Sequence, residues 1–212
     1  MKVRALIFDF DGVICDSVDV KTQAFATLYS NYGVEIQQMV VDYHLLHGGI
    51  SRFEKIKYFE EIILQRKTNE TGINILAEQF STLVKDKVIA SQYIKGADVF
   101  IKKYSNLIPQ YICTGTPENE ILEILKKKGI DIYFRSIYGS PKSKEEILDE
   151  IISDSKLHPS EMIYFGDAIT DFNAAGKFKI PFIGINNINT TFPLNTMIVR
   201  DFEDQKLKKI LS

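Results

Sequence analysis

The chain has 212 residues, 45% of them hydrophobic, enough to bury a substantial core as one domain or as a core with an insertion. Its 26 basic and 28 acidic residues leave a formal net charge of -2, which excludes a general electrostatic attraction to nucleic acid or to an anionic membrane. An anion site would have to be built locally, from a few side chains.

Residues 3–8 (VRALIF) form a short apolar run, as expected of a parallel strand buried on both faces. Two aspartates, Asp9 and Asp11, follow at once and interrupt the hydrophobic stretch that a secretory signal would need. Between about residues 18 and 90 the strand signal disappears and stripes at helical spacing replace it. They are Phe25, Leu28, Tyr29 and Tyr32, then Phe53, Ile56, Phe59 and Ile63, then Leu76, Phe80, Leu83 and Val84. These predict an all-helical insertion over residues 16–90, leaving residues 1–15 and 91–212 as the core. Further strands are expected at 110–113, 136–138, 162–165 and 181–185. Amphipathic helices separate them, one carrying Ile121, Leu122, Ile124 and Leu125, another Ile147, Leu148, Ile151 and Ile152. Such alternation predicts a doubly wound, parallel-sheet α/β core of Rossmann-like type. Lys126 to Lys128 read as the basic last turn of a helix closed by Gly129. No segment is long enough to span a bilayer, and Cys15 and Cys113 make neither a disulfide framework nor a close-spaced metal motif. A cytoplasmic protein with reduced thiols is the expectation.

In an open α/β sheet the ligand crevice lies beyond the carboxyl ends of the strands. The residues expected there are Asp9, Asp11 and Gly12 after the first strand, and Thr114, Gly115 and Thr116 after the second. Gly139 to Lys144 follow the third, and Gly166, Asp167 and Asp171 the fourth. Carboxylates gathered in one crevice repel one another unless a cation and an anion bind among them. Taken singly, each group has a plainer reading: a turn at Asp9 to Gly12, a helix cap at Thr114 or Asp167. Four groups in order, each at a strand end, outweigh those readings.

The stretches DFDGV, TGTP, the lysine after GSP, and GDAITD resemble the four ordered motifs of the haloacid dehalogenase-like superfamily. The insertion resembles the helical cap of its phosphoglycolate phosphatase and β-phosphoglucomutase branch. The resemblance runs from Asp9 to Asp171 and implies a magnesium-dependent phosphatase that acts on a small phosphorylated metabolite through an aspartyl phosphate. By this resemblance Asp9 is the nucleophile, Asp11 the acid and then the base, and Gly12 the residue that turns the chain beneath the substrate. Thr114 and the backbone N–H groups around Gly115 would bind the phosphoryl oxygens. Asp9, the backbone carbonyl of Asp11 and Asp167 would hold Mg²⁺, with Asp171 orienting the metal or its waters.

GSPKSKEE offers two lysines. Lys144 is preferred, because the related phosphatases have a lysine at the helix start followed by an acidic residue and an apolar pair, here Glu146, Ile147 and Leu148; Lys142 would then be a solvated loop charge. HGGISRFEK resembles the cap loop of the mutase branch, so Arg52 either clamps a second anionic group of the substrate or is solvated in the first turn of a helix. His44 and His47 are expected in surface or capping roles, His158 in a loop, and Asp16 and Ser17 as caps of the first inserted helix. A phosphomutase would share every motif, but that branch has a histidine soon after the first motif and DSVDVKTQ has none, which favours hydrolysis. A non-catalytic scaffold on the same fold usually loses a catalytic carboxylate, and Asp9, Asp11 and Asp167 are all present. These motifs specify neither the metabolite nor an oligomeric state.

Overall fold

A computed structural model describes residues 2–186 and 190–210. Six strands form one parallel sheet: β1 (Ala5–Phe8), β2 (Gln110–Pro117), β3 (Ser136–Ser140), β4 (Met162–Gly166), β5 (Phe182–Ile185) and β6 (Met197–Val199), in the spatial order β3-β2-β1-β4-β5-β6. The strand order reverses at β1, which lies between β2 and β4 with Phe8 opposite Ile112 on one side and Phe165 on the other. The residue after Phe8 therefore emerges at the centre of the carboxyl edge, where such sheets open a crevice.

Every β1 side chain is buried, as a strand covered on both faces requires. Leu6 and Phe8 face one layer, where Phe8 stacks on Phe165 with ring centroids 5.0 Å apart and meets α5 (Ala97–Ser105) through Phe100. Ala5 and Ile7 face the other, beneath α7 (Lys144–Ser155) and α8 (Ile169–Phe178). The helix α6 (Glu118–Lys128) ends in the expected lysines and a left-handed Gly129, and α9 (Gln205–Ile210) closes the described chain.

The insertion is helical, as its stripes predict. It contains α1 (Val18–Leu28), α2 (Val34–Leu46), α3 (Arg52–Tyr58) and α4 (Glu70–Ala90), with a π-helical turn at Phe59–Ile63. Phe25, Phe59 and Phe80 meet at its centre, Phe25 4.1 Å from Phe80 and 5.4 Å from Phe59 between ring centroids. The insertion's two ends run side by side. Asp16 N donates to Gln92 O and Ile94 N to Ile14 O, each at 2.9 Å.

Two expectations about this region need correction. His44 is not at the surface but buried on α2, because its ring packs on Phe25 and its Nδ1 binds Lys55. Ser17 occupies the position before α1 but makes no side-chain cap; its hydroxyl donates to Asp11 instead.

Candidate active site

The chain turns sharply after β1. Ile14 N bonds back to Phe10 O at 2.9 Å, and Gly12 sits at φ 74, where its N–H reaches Cys15 O. A side chain at Gly12 would be strained at that φ and would run into the Asp167 carboxylate, so the turn and the site are coupled. On β2 the register with β3 shifts between Cys113 and Pro117, the kind of irregularity that re-aims side chains, and Thr114, Gly115 and Thr116 fall within it.

These turns bring the carboxylates together. Oxygens of Asp9, Asp167 and Asp171, all three residues buried, lie within 4.8 Å of one another. Lys144 Nζ stands among them, 2.7 Å from Asp9 Oδ2 and ion-paired with Asp171. Ser143 and Glu146 form a capping box that starts α7 at this point, placing Lys144 on its buried face. Lys142 is elsewhere: exposed on the loop and paired with Glu150. Asp171 also accepts from Tyr164 Oη at 2.7 Å and from Ala168 N at 3.1 Å, which fixes it as the organiser of Lys144 and of the α8 start.

Asp11 is held separately. Ser17 Oγ at 2.6 Å, Thr116 Oγ1 at 3.1 Å and an ion pair with Lys21 surround its carboxylate. Burial pushes the Asp11 pKa up, but Lys21, Ser17 and Thr116 outweigh it and hold the group below its ordinary range. For Asp9 the balance goes the other way. Burial dominates, Lys144 opposes it and Asp171 reinforces it, and the pKa rises to about 6. Burial works against the charge on Lys144 too, yet Asp171 and Asp9 keep it firmly protonated. Cys113, by contrast, is pushed up to about 12 by burial and is inert.

The donor set fits a hard divalent cation. All-oxygen ligands, more carboxylates than nearby lysines, and an Asp9 pKa raised by burial and by the neighbouring Asp171 are what such an ion would satisfy.

Asp9, Asp11, Thr114, Gly115 and Asp167 line one cavity, whose roof comes from the insertion through Val18, Lys21, Phe25, His44, Arg52 and Lys55. Thr114 is buried and its Oγ1 accepts from Thr116 N at 3.3 Å. The loop between α2 and α3 reaches the catalytic edge directly: Thr170 Oγ1 donates to Gly48 O at 2.8 Å. Gly49, at φ 78, comes so close to Thr170 and Lys144 that any side chain would collide. Arg52 is neither solvated nor open. It is buried, its guanidinium forks onto the Glu120 carboxylate, and it lies 4.8 Å over the Phe80 ring. Lys21, Lys55 and Tyr164 are site residues that the sequence alone does not single out. The signal that could have found Lys55 is its place beside Ile56 on the buried stripe of α3.

Residues 6–185 match the family model described as haloacid dehalogenase-like hydrolase. A phosphorylated carbohydrates phosphatase from Thermotoga maritima is 23% identical over 178 residues, 82% of this chain and 80% of the relative. Among solved structures, a β-phosphoglucomutase from Clostridium difficile superposes with a TM-score of 0.80 at 22% identity, covering 98% of this chain and 95% of that one. A HAD-hydrolase from Bacillus subtilis bound to magnesium gives 0.74 at 18% identity, covering 100% and 99%. Among the described residues no helix is long and apolar enough to cross a membrane.

Proposed function

Because the chain belongs to the haloacid dehalogenase-like hydrolase family, we propose that it hydrolyses the monophosphate ester of a small metabolite, a phosphorylated carbohydrate or acid, in the cytoplasm, with Asp9 as nucleophile and Mg²⁺ as cofactor. The observation that carries this reading is the separation of two carboxylates. Asp9 is bound to Lys144, while Asp11 faces the same cavity bound to Lys21. One is placed to attack and the other to move protons. The similarity to the phosphatase from Thermotoga maritima supports the substrate class, and residues 16–90, which roof the cavity, would serve as the cap.

Asp9 attacks phosphorus, the bond to the alcohol oxygen breaks, and the alcohol leaves with a proton from Asp11. Lys21, Ser17 and Thr116 favour the ionised form of Asp11, so the group must take up that proton from solvent before the alcohol leaves. Water then attacks the aspartyl phosphate, Asp11 accepts its proton, and Asp9 is freed with inorganic phosphate. Lys144 and Thr114 stabilise charge on the transferring group. Mg²⁺, held by Asp9, Asp167 and the backbone carbonyl of Asp11, would neutralise charge between nucleophile and phosphate. A phosphomutase is not favoured: the side chain that reaches Asp11 from the stretch after the first motif is Lys21, not a histidine.

The test is release of phosphate from p-nitrophenyl phosphate with and without Mg²⁺. Activity should require the ion, and Asp9→Asn should abolish it while leaving the thermal melt intact. Turnover by pure Asp9→Asn protein would refute the mechanism.

A further inference from the structure

Three cations from the insertion line the cavity above Asp9: Lys21, Arg52 and Lys55. Two are already matched, Lys21 by Asp11 and Arg52 by Glu120. Lys55 differs. It is 3% exposed, and its ammonium meets only uncharged atoms of His44, Nδ1 at 2.9 Å and the carbonyl oxygen at 3.3 Å. Among the described residues no carboxylate forms an ion pair with it.

The partner is itself incomplete. An ammonium has no lone pair, so His44 Nδ1 must accept from it and the ring proton sits on Nε2. That nitrogen is buried with no partner among the described residues. Burial, and then the charges of Lys55 and Lys21, hold the His44 pKa well below its usual value, so the ring is neutral. The cavity therefore contains a buried amino group with, when protonated, one N–H to spare, beside a histidine whose own N–H has no partner among the described residues. Such a group is costly unless an anion joins it.

We propose that Lys55 is a specificity-determining residue that binds a second anionic group, a carboxylate or a further phosphate, on the alcohol portion of the substrate. The assignment rests on the phosphatase reading above and narrows it to phosphate esters whose leaving alcohol is itself an anion. Arg52, its fork filled by Glu120, forms a wall of the cavity and not the clamp. Burial, and after it Lys21, brings the Lys55 pKa down to about 7, with Asp11 and Asp167 pulling it up and Lys144 pushing it down; a bound anion would restore its charge at neutral pH.

Two matched pairs test this: phosphoglycolate against hydroxyethyl phosphate, and propanediol bisphosphate against hydroxypropyl phosphate. Within each pair the second anion is the main difference. The wild type should favour the anionic member of at least one pair by roughly 30-fold or more in kcat/KM, mainly through KM. The pair that shows the preference tells carboxylate from phosphate. Lys55→Met should erase it, and Lys55→Gln, which keeps an N–H for His44 without the charge, should do the same and stands in if the methionine variant does not fold. No preference in the wild type, or an undiminished preference in the folded variants, overturns the assignment. Failure of the phosphatase reading looks different: the wild type would release phosphate from none of the four esters nor from p-nitrophenyl phosphate, and both readings would fall.

Discussion

Lys142 and Lys144 stand two residues apart on opposite sides of a helix start. The capping box at Ser143 turns Lys144 inward to Asp9 and leaves Lys142 in solvent with Glu150. Lys144→Ala should therefore lower kcat/KM by about 100- to 1,000-fold, the usual loss for one donor at a transferring group. Lys142→Ala should stay within about threefold of wild type, since an exposed ion pair contributes little. Assays of both on p-nitrophenyl phosphate decide it. Lys55 makes a prediction about stability. Its pKa falls from 10.5 to about 7 on folding, with Lys21, Asp11, Lys144 and Asp167 around it and His44 in contact. Between those values the unfolded chain holds a proton that the folded protein has released, so this group's contribution to stability rises with pH across that window. Its cost is complete below the window and gone above it. Lys55→Met should accordingly stabilise the protein by a few kcal/mol at about pH 6 and by little at about pH 10.5, as read from urea melts. An equal gain at both would show that Lys55 is not buried as a charge.

At the scale of elements, the third inserted helix shows what could and could not be read in advance. Ile56 and Phe59 mark its buried stripe, and stepping back four residues from each lands on Arg52 and Lys55, which are buried too. Charge at those positions argued for solvent, and only tertiary pairing with Glu120 and His44 overrules it. Likewise β2 runs past Cys113 through Thr114, Gly115 and Thr116, where no apolar pattern continues, and β6 went unpredicted because two of its three residues are exposed. The strands beside Asp9 were legible because parallel strands buried on both faces are apolar runs. The motif carboxylates were legible because each follows such a run. Lys21 and Tyr164 were not, since each meets its carboxylate only through folding. The Arg52–Glu120 pair, with Ser81 also donating to Glu120, ties α3 and α4 of the insertion to α6 of the core. Arg52→Met should cost about 3–5 kcal/mol in urea unfolding because it strands a buried carboxylate, and Arg52→Met with Glu120→Leu should recover most of that. A loss of under about 1 kcal/mol for the single variant would mean that the pair is open to water.

For the whole molecule, the carboxyl edge of the sheet supplies Asp9, Asp11, Asp167 and the Thr114–Thr116 stretch to the cavity, and the insertion supplies its roof. On the proposed reading, chemistry and selectivity belong to different stretches of one chain. The two crossings between those stretches lie side by side, where Cys15 pairs with Tyr93 in antiparallel register between the Asp16–Gln92 and Ile94–Ile14 hydrogen bonds. Residues paired in this way lie only about 5 Å apart. The path from the sheet into the helices and the path back therefore pass through one narrow gate in the backbone, and a helical unit of any size could be spliced in there without stretching the strands on either side. On the proposed reading, the roof could then be exchanged as a unit, changing what is recognised while the sheet edge that carries Asp9 and Asp11 stays as it is.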